Sequence, residues 1–193
     1  FQDVCEAHAA AVVYFTNHAV LNDPDGAAVI RELAARPNVE IGLHIHPWNT
    51  PPLATAETVS ARDSFLHNLP WDEARAKLDS TLEAFDRVGL HPTSFRGGRY
   101  STSPRIQDHL RDRGVVADAS VLPFNTWADA GAPDYRGRGL GAVRKPPRHP
   151  GDAALWELPL TFGYTRRPFA AWDRVFRGIE GSPLRHLKLI GLM

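Results

Sequence analysis

At 193 residues with 43% hydrophobic and 23% charged side chains, the chain has the size and composition of one ordinary globular domain, spanning 1–193. Twenty-two basic residues balance 22 acidic ones, so the electrostatic footprint of a nucleic-acid or anionic-membrane binder is missing. The single cysteine, Cys5, excludes an internal disulfide framework and a multi-cysteine zinc site, so any zinc must sit on histidines and carboxylates. No apolar run approaches the roughly 20 residues of a membrane span, and the first residues lack the basic start and apolar stretch of a signal peptide. These features predict a soluble, cytoplasmic protein.

In chain order, Phe1 to His8 reads as the inside of an amphipathic helix, and the chain stops after Leu189-Ile190-Gly191-Leu192-Met193 with no terminating signal, which predicts a fragment. Ala11-Val12-Val13-Tyr14-Phe15 is a buried strand, and Asp23-Pro24-Asp25-Gly26 caps a helix that Pro37 stops. Val39-Glu40-Ile41-Gly42-Leu43-His44 is the second strand. The clearest helix covers 71–88, with Asp72 and Glu73 in its first turn, Leu78, Leu82, Phe85 and Val88 on one stripe, and Gly89 as its cap. Thr93-Ser94-Phe95-Arg96 is a third strand, and Ser103-Pro104 starts a helix that Gly114 ends before the strand Val115-Val116-Ala117-Asp118. Periodicity then vanishes over 123–151, where glycine and proline recur as in a binding excursion or a disordered loop. A last strand, Leu155-Trp156-Glu157-Leu158-Pro159-Leu160, and a short helix over 183–190 complete the reading. Alternation of short apolar runs with helical patterns predicts an α/β fold with a parallel sheet or barrel.

Three strand ends carry candidate chemistry. In His44-Ile45-His46-Pro47-Trp48, side chains two apart on a strand point the same way, so His44 and His46 can converge on one ion; two histidines merely hydrogen-bonded near a loop is the competing reading. Phe95-Arg96-Gly97-Gly98-Arg99-Tyr100 combines glycines that allow close backbone approach to a ligand with fixed positive charge, or it is a tight turn with solvated arginines. Asp118-Ala119-Ser120 is a third polar cluster, with a helix or turn cap as its alternative.

In this order and spacing the three clusters resemble the polysaccharide deacetylase (NodB-homology) family of metal-dependent carbohydrate esterases. Glu40-Ile41-Gly42-Leu43-His44 is similar to the approach to that family's metal-binding histidine motif, Phe95 to Tyr100 to its arginine-and-tyrosine motif, and Asp118-Ala119-Ser120 to its next aspartate motif. His46-Pro47-Trp48-Asn49-Thr50-Pro51-Pro52 with Phe95 to Tyr100 resembles the branch associated with lipopolysaccharide or capsule biosynthesis. The resemblance implies an incomplete, distorted (β/α) barrel and removal of N-acetyl groups from a saccharide or glycan. It also implies a divalent metal, zinc by preference, on His44 and His46. Arg96, Tyr100 and Asp118 would be catalytic: Arg96 orients a base, Tyr100 lies on the oxyanion side, and Asp118 belongs to the following motif. Trp48 and Arg99 would contact substrate.

The departures are specific. The family spaces its histidine ligands by four, where Trp48 stands here; its Asp-Asp strand end is absent, and Asp3 lies in a helical pattern. Its acid histidine comes from a late strand, whereas His186 has a helical context. Base and acid are therefore not located, and the chain as given is expected to be impaired. A saccharide-binding remnant without turnover, helped by Trp48, Trp127, Tyr135 and Trp156, is one alternative; an amidohydrolase-type metalloenzyme, whose H-x-H lies on a first strand, is another.

Overall fold

The computed structural model describes residues 1–53, 60–161 and 168–180. Its elements run α1 (Gln2–Ala7), β1 (Val12–Thr16), α2 (His18–Asn22), α3 (Pro24–Ala34), β2 (Val39–Ile45), α4 (Trp71–Arg87), β3 (Ser94–Gly97), α5 (Pro104–Arg111), β4 (Ala117–Asp118), β5 (Val143–Lys145), β6 (Leu155–Glu157) and α6 (Phe169–Glu180). The six strands form one sheet in the order β1-β2-β3-β4-β6-β5. All neighbours pair parallel except β5 with β6. Among the described residues the sheet is open, ending at β1 and β5, and no barrel closure is seen. No helix among them is long and apolar enough to cross a membrane.

Local chemistry explains the helix boundaries. Asp23 accepts a hydrogen bond from the Gly26 amide at 2.7 Å and Pro24 occupies the first turn of α3, while Ser103 and Pro104 do the same for α5. Gly89 follows α4 at φ 75°, a left-handed position suited to a residue without Cβ. One sheet face is packed by helices: Ile41, Leu43, Ile45 and Phe95 meet Ile30 of α3, Leu78, Leu82 and Phe85 of α4, and Ile106 and Leu110 of α5.

Register fixes what stands on the other face. Phe15 pairs with Gly42, His44 with Arg96, Ser94 with Ala117 and Ala117 with Trp156, so these residues share one side. This side is wetter, with Val13 42% and Trp156 43% exposed.

The elements depart from the sequence pattern in five places. Helix α2 is additional; it is five residues long, too short for a periodic signal, and is capped by Asn17 accepting from the Val20 amide. The segment 115–118 is a strand only at Ala117–Asp118, and the run 155–160 only at Leu155–Glu157. The excursion 123–151 contains an edge strand, β5, and is anchored at several points, among them the Tyr135 amide on the Asn125 carbonyl and the bridge between Thr126 and Asp134. Its anchors include Glu157, only 3% exposed, whose carboxylate meets Lys145 at 2.8 Å and pairs with Arg138. The helix expected over 183–190, with His186, lies outside the described residues, whereas α6 occupies Phe169–Glu180.

Candidate functional site at the ends of strands β2 and β3

His44 is the next-to-last residue of β2 paired with β3, and His46 follows one residue beyond the strand with extended backbone before Pro47 opens a 3-10 turn at Pro47–Asn49. Strand alternation carries both rings to the same side. Their Nε2 atoms stand 3.0 Å apart and the rings meet edge-on at 4.5 Å between centroids. His44 Nδ1 lies 2.5 Å from the Arg96 carbonyl oxygen, so Nδ1 carries the proton and donates it. That leaves Nε2 of His44 as a lone pair aimed at His46. On His46 the other nitrogen, Nδ1, is buried without a hydrogen-bond partner.

Both imidazoles are held neutral. Burial is the main cause at His46, joined by repulsion from His44, and the ring's pKa is pulled down to about 4. At His44 burial lowers the pKa, the Arg96 carbonyl opposes this, and the Arg96 charge adds to the lowering. Neutral, convergent imidazoles with one ring fixed by a carbonyl are what a divalent ion requires of histidine. Two nitrogens about 2.0–2.1 Å from a shared zinc at a tetrahedral angle lie roughly 3.3 Å apart, near the separation found. The pair therefore fits an ion as two of its donors. Among the described residues no third His, Cys, Asp or Glu completes the group.

Arg96 stands beside His44 in register. Its guanidinium lies 4.6 Å over the Phe15 ring, and its Nε donates to the Ala119 carbonyl at 3.3 Å. Among the described residues no carboxylate reaches it. Phe15, on the neighbouring strand, is a site neighbour that the sequence pattern does not single out. Parity along a buried strand was the available signal.

Gly97 and Gly98 have a different physical reason from the one their sequence suggests. A Cβ on Gly98 would stand 2.3 Å from the Ile45 carbonyl oxygen and 2.5 Å from His46 Nδ1, and one on Gly97 would stand 1.8 Å from the Ser101 carbonyl oxygen. The close approach is to the protein's own backbone and to His46, and no ligand is needed to explain it.

Tyr100 follows at φ 61°, its ring stacked on Trp127 at 5.8 Å with 5° between planes, and its carbonyl accepts from the Tyr135 hydroxyl at 2.7 Å. Burial, followed by the Asp118 charge, raises the Tyr135 phenol's pKa. Trp48 is 43% exposed and packs on His46 at 4.3 Å between centroids. Arg99 turns elsewhere: its guanidinium lies 4.1 Å over Phe65 and donates to Ser64 Oγ. The structure thus sends the Arg99 guanidinium to Phe65 and Ser64 and not to the histidines, with φ 52° at this residue.

Asp118 is also displaced from its expected place. It is in register with Phe95, so it shares the helix-packed face and points away from His44 and Arg96. Its carboxylate, 1% exposed, accepts from Thr102 Oγ1 at 2.7 Å, Gln107 Nε2 at 2.6 Å and the Ser120 amide at 2.9 Å. Ser120 Oγ in turn accepts from the Gly97 amide at 2.9 Å. This cluster supports the end of β3 from behind. Gln107, one turn into α5, is the partner that the sequence reading lacks.

No protein-family model and no curated protein matches the chain. Among solved structures, 98% of the chain aligns with 58% of a protein from Mycobacterium smegmatis assigned as a polysaccharide deacetylase, at TM-score 0.55 and 17% identity. A Bordetella bronchiseptica protein assigned as a polysaccharide deacetylase involved in O-antigen biosynthesis aligns with 81% of the chain and 48% of its own length at TM-score 0.47 and 18% identity. A 4-alpha-glucanotransferase from Thermococcus litoralis aligns with 77% of the chain and 21% of its own at TM-score 0.47 and 15% identity. The chain thus has the α/β fold of the Mycobacterium smegmatis protein over nearly all of its own length and about three-fifths of that protein's.

Proposed function

We propose that this chain is part of a metal-dependent hydrolase that removes N-acetyl groups from a saccharide or polysaccharide of the cell envelope, with zinc as the ion and His44 and His46 as two of its ligands. The observation that carries the reading is the facing Nε2 pair, 3.0 Å apart, on a fold shared with a protein assigned as a polysaccharide deacetylase. An ion held there would supply Lewis acidity to the acetyl oxygen and to an attacking water.

The protein's own groups have separate work. The Arg96 carbonyl keeps His44 in the tautomer that presents Nε2. The Arg96 guanidinium, with its aromatic support and no acidic partner among the described residues, orients a carboxylate base from elsewhere in the protein. Tyr100, beside the exposed Trp127, and Trp48, on His46, present aromatic faces to sugar rings. Asp118 and Arg99 act in support of this end of the sheet and not on substrate. With no third donor among the described residues, binding of saccharide without efficient turnover is the second reading.

The test is zinc binding by equilibrium dialysis alongside amine release from N-acetylated oligosaccharides. The chain should bind about one zinc, and His44→Ala or His46→Ala should abolish binding. Zinc binding equal in the double variant would overturn the assignment; saccharide binding with zinc but no amine release would support the second reading.

A further inference from the structure

Helix α4 carries a charge where its pattern calls for an apolar residue. Ala74, Leu78, Leu82 and Phe85 form its buried stripe, and Lys77 lies among them at 1% exposure. A lysine so deep in a protein persists only with partners. Its ammonium donates to the Thr50 carbonyl at 3.0 Å and to the Pro52 carbonyl, with Glu73 Oε1 one turn back at 3.5 Å. Burial lowers the Lys77 pKa, and the Glu73 carboxylate opposes that.

The carbonyls that Lys77 binds belong to the segment leaving His46. Pro47 starts the 3-10 turn, Trp48 lays its ring on His46 at 4.3 Å, and Thr50 is fully buried. The side chains of this segment do little to hold it, since Asn49 Oδ1 and Thr50 Oγ1 are both buried without hydrogen-bond partners. His46 itself lacks the fixing contact that the Arg96 carbonyl gives His44. Among the described residues the ammonium is therefore the side-chain tie between this segment and α4.

We infer that Lys77 is a positioning residue for His46: by binding the Thr50 and Pro52 carbonyls it fixes the segment 47–52, and through Trp48 and Pro47 it sets the His46 ring facing His44. The zinc part of this inference rests on the function proposed above; the positioning of the ring does not.

The experiment compares wild type, Lys77→Met, which keeps most of the length and loses the donors, and Lys77→Gln, which restores an uncharged NH2 donor group. Imidazole nitrogens are read by long-range 1H–15N spectra, and zinc affinity by competition with a chromophoric chelator. Lys77→Met should move the His46 ring resonances while those of His67 and His109 stay in place, and should weaken zinc about tenfold or more, the usual effect of losing an outer support. Lys77→Gln should fall between the two, and it is read by the same criteria if the Met variant does not fold. Unchanged His46 resonances with unchanged zinc affinity would overturn the inference, as would equal movement of all histidine rings, which would mark general loosening. Failure of wild type to bind zinc, with His46 still moving selectively in the variants, would overturn the metal reading and support the positioning role.

Discussion

Gly98→Ala is the sharpest probe of how the histidine pair is held. The new methyl would stand 2.3 Å from the Ile45 carbonyl oxygen, 2.5 Å from His46 Nδ1 and 3.0 Å from His46 Cε1. Comfortable separations are about 3.5–4.0 Å, so β2 and the turn after β3 must part by roughly 1 Å. Neither obstacle is a flexible side-chain tip: one is backbone, and the other is a ring pinned between Gly98, Trp48 and His44. The clash also falls at the last paired residues of β2 and β3, Ile45 and Gly97, where the ladder has no further bond to absorb a shift. Overpacking of this kind costs about 1–3 kcal/mol. With a urea m-value of about 2 kcal/mol/M, the midpoint should fall by roughly 0.5–1.5 M. Gly139→Ala, where a Cβ meets nothing within 4 Å, is the matched control. Equal midpoints for the two alanine variants, with unperturbed His46 ring resonances, would refute the packing argument.

Acid should weaken the fold through its neutral histidines. The unfolded chain protonates them near pH 6.5, whereas burial holds His46 unprotonated down to about pH 4 and also lowers His44 and His67. The folded state thus binds fewer protons in this window, so stability is complete above about pH 6.5 and declines as pH falls toward 4. Urea midpoints measured with chelator at pH 7.5 and 5.0 should show the loss, and His46→Asn should reduce it; a midpoint that rises on acidification contradicts this reading. Asp118→Asn should destabilise by about 1.5–3 kcal/mol, because three donors lose a charged acceptor. It should leave zinc binding unchanged, and a stable Asn variant that fails to bind zinc would return Asp118 to the site.

What was legible in the sequence was whatever depends on neighbours in the chain. Asp23-Pro24 and Ser103-Pro104 announce α3 and α5, and the 3–4 spacing of Leu78, Leu82 and Phe85 announces α4. His44 and His46 share a side by alternation alone. Quantities set by partners across the sheet were not legible. Asp118 and Arg96 both sit at strand ends, yet pairing with Phe95 sends one to the helix face while pairing with His44 keeps the other opposite. Strand β5 is three residues in a glycine- and proline-rich stretch, and it exists only because β6 returns beside it. Lys77 drew no notice in the sequence, because its burial and its targets, Thr50 and Pro52, are set across the fold.

The Glu157 carboxylate described above gathers Arg138 and Lys145 from opposite ends of one stretch, and Gln107 links it to Asp118 at the centre of the sheet. The stretch between those two cations is thus clamped at both ends by the same buried group. Exposing either end to solvent strips that group of a counter-charge and weakens its hold on the other. Amide hydrogens of the β5–β6 ladder over 143–145 should accordingly exchange in one cooperative opening with the β4–β6 ladder beside it, so that the edge strand unfolds together with the sheet that carries it.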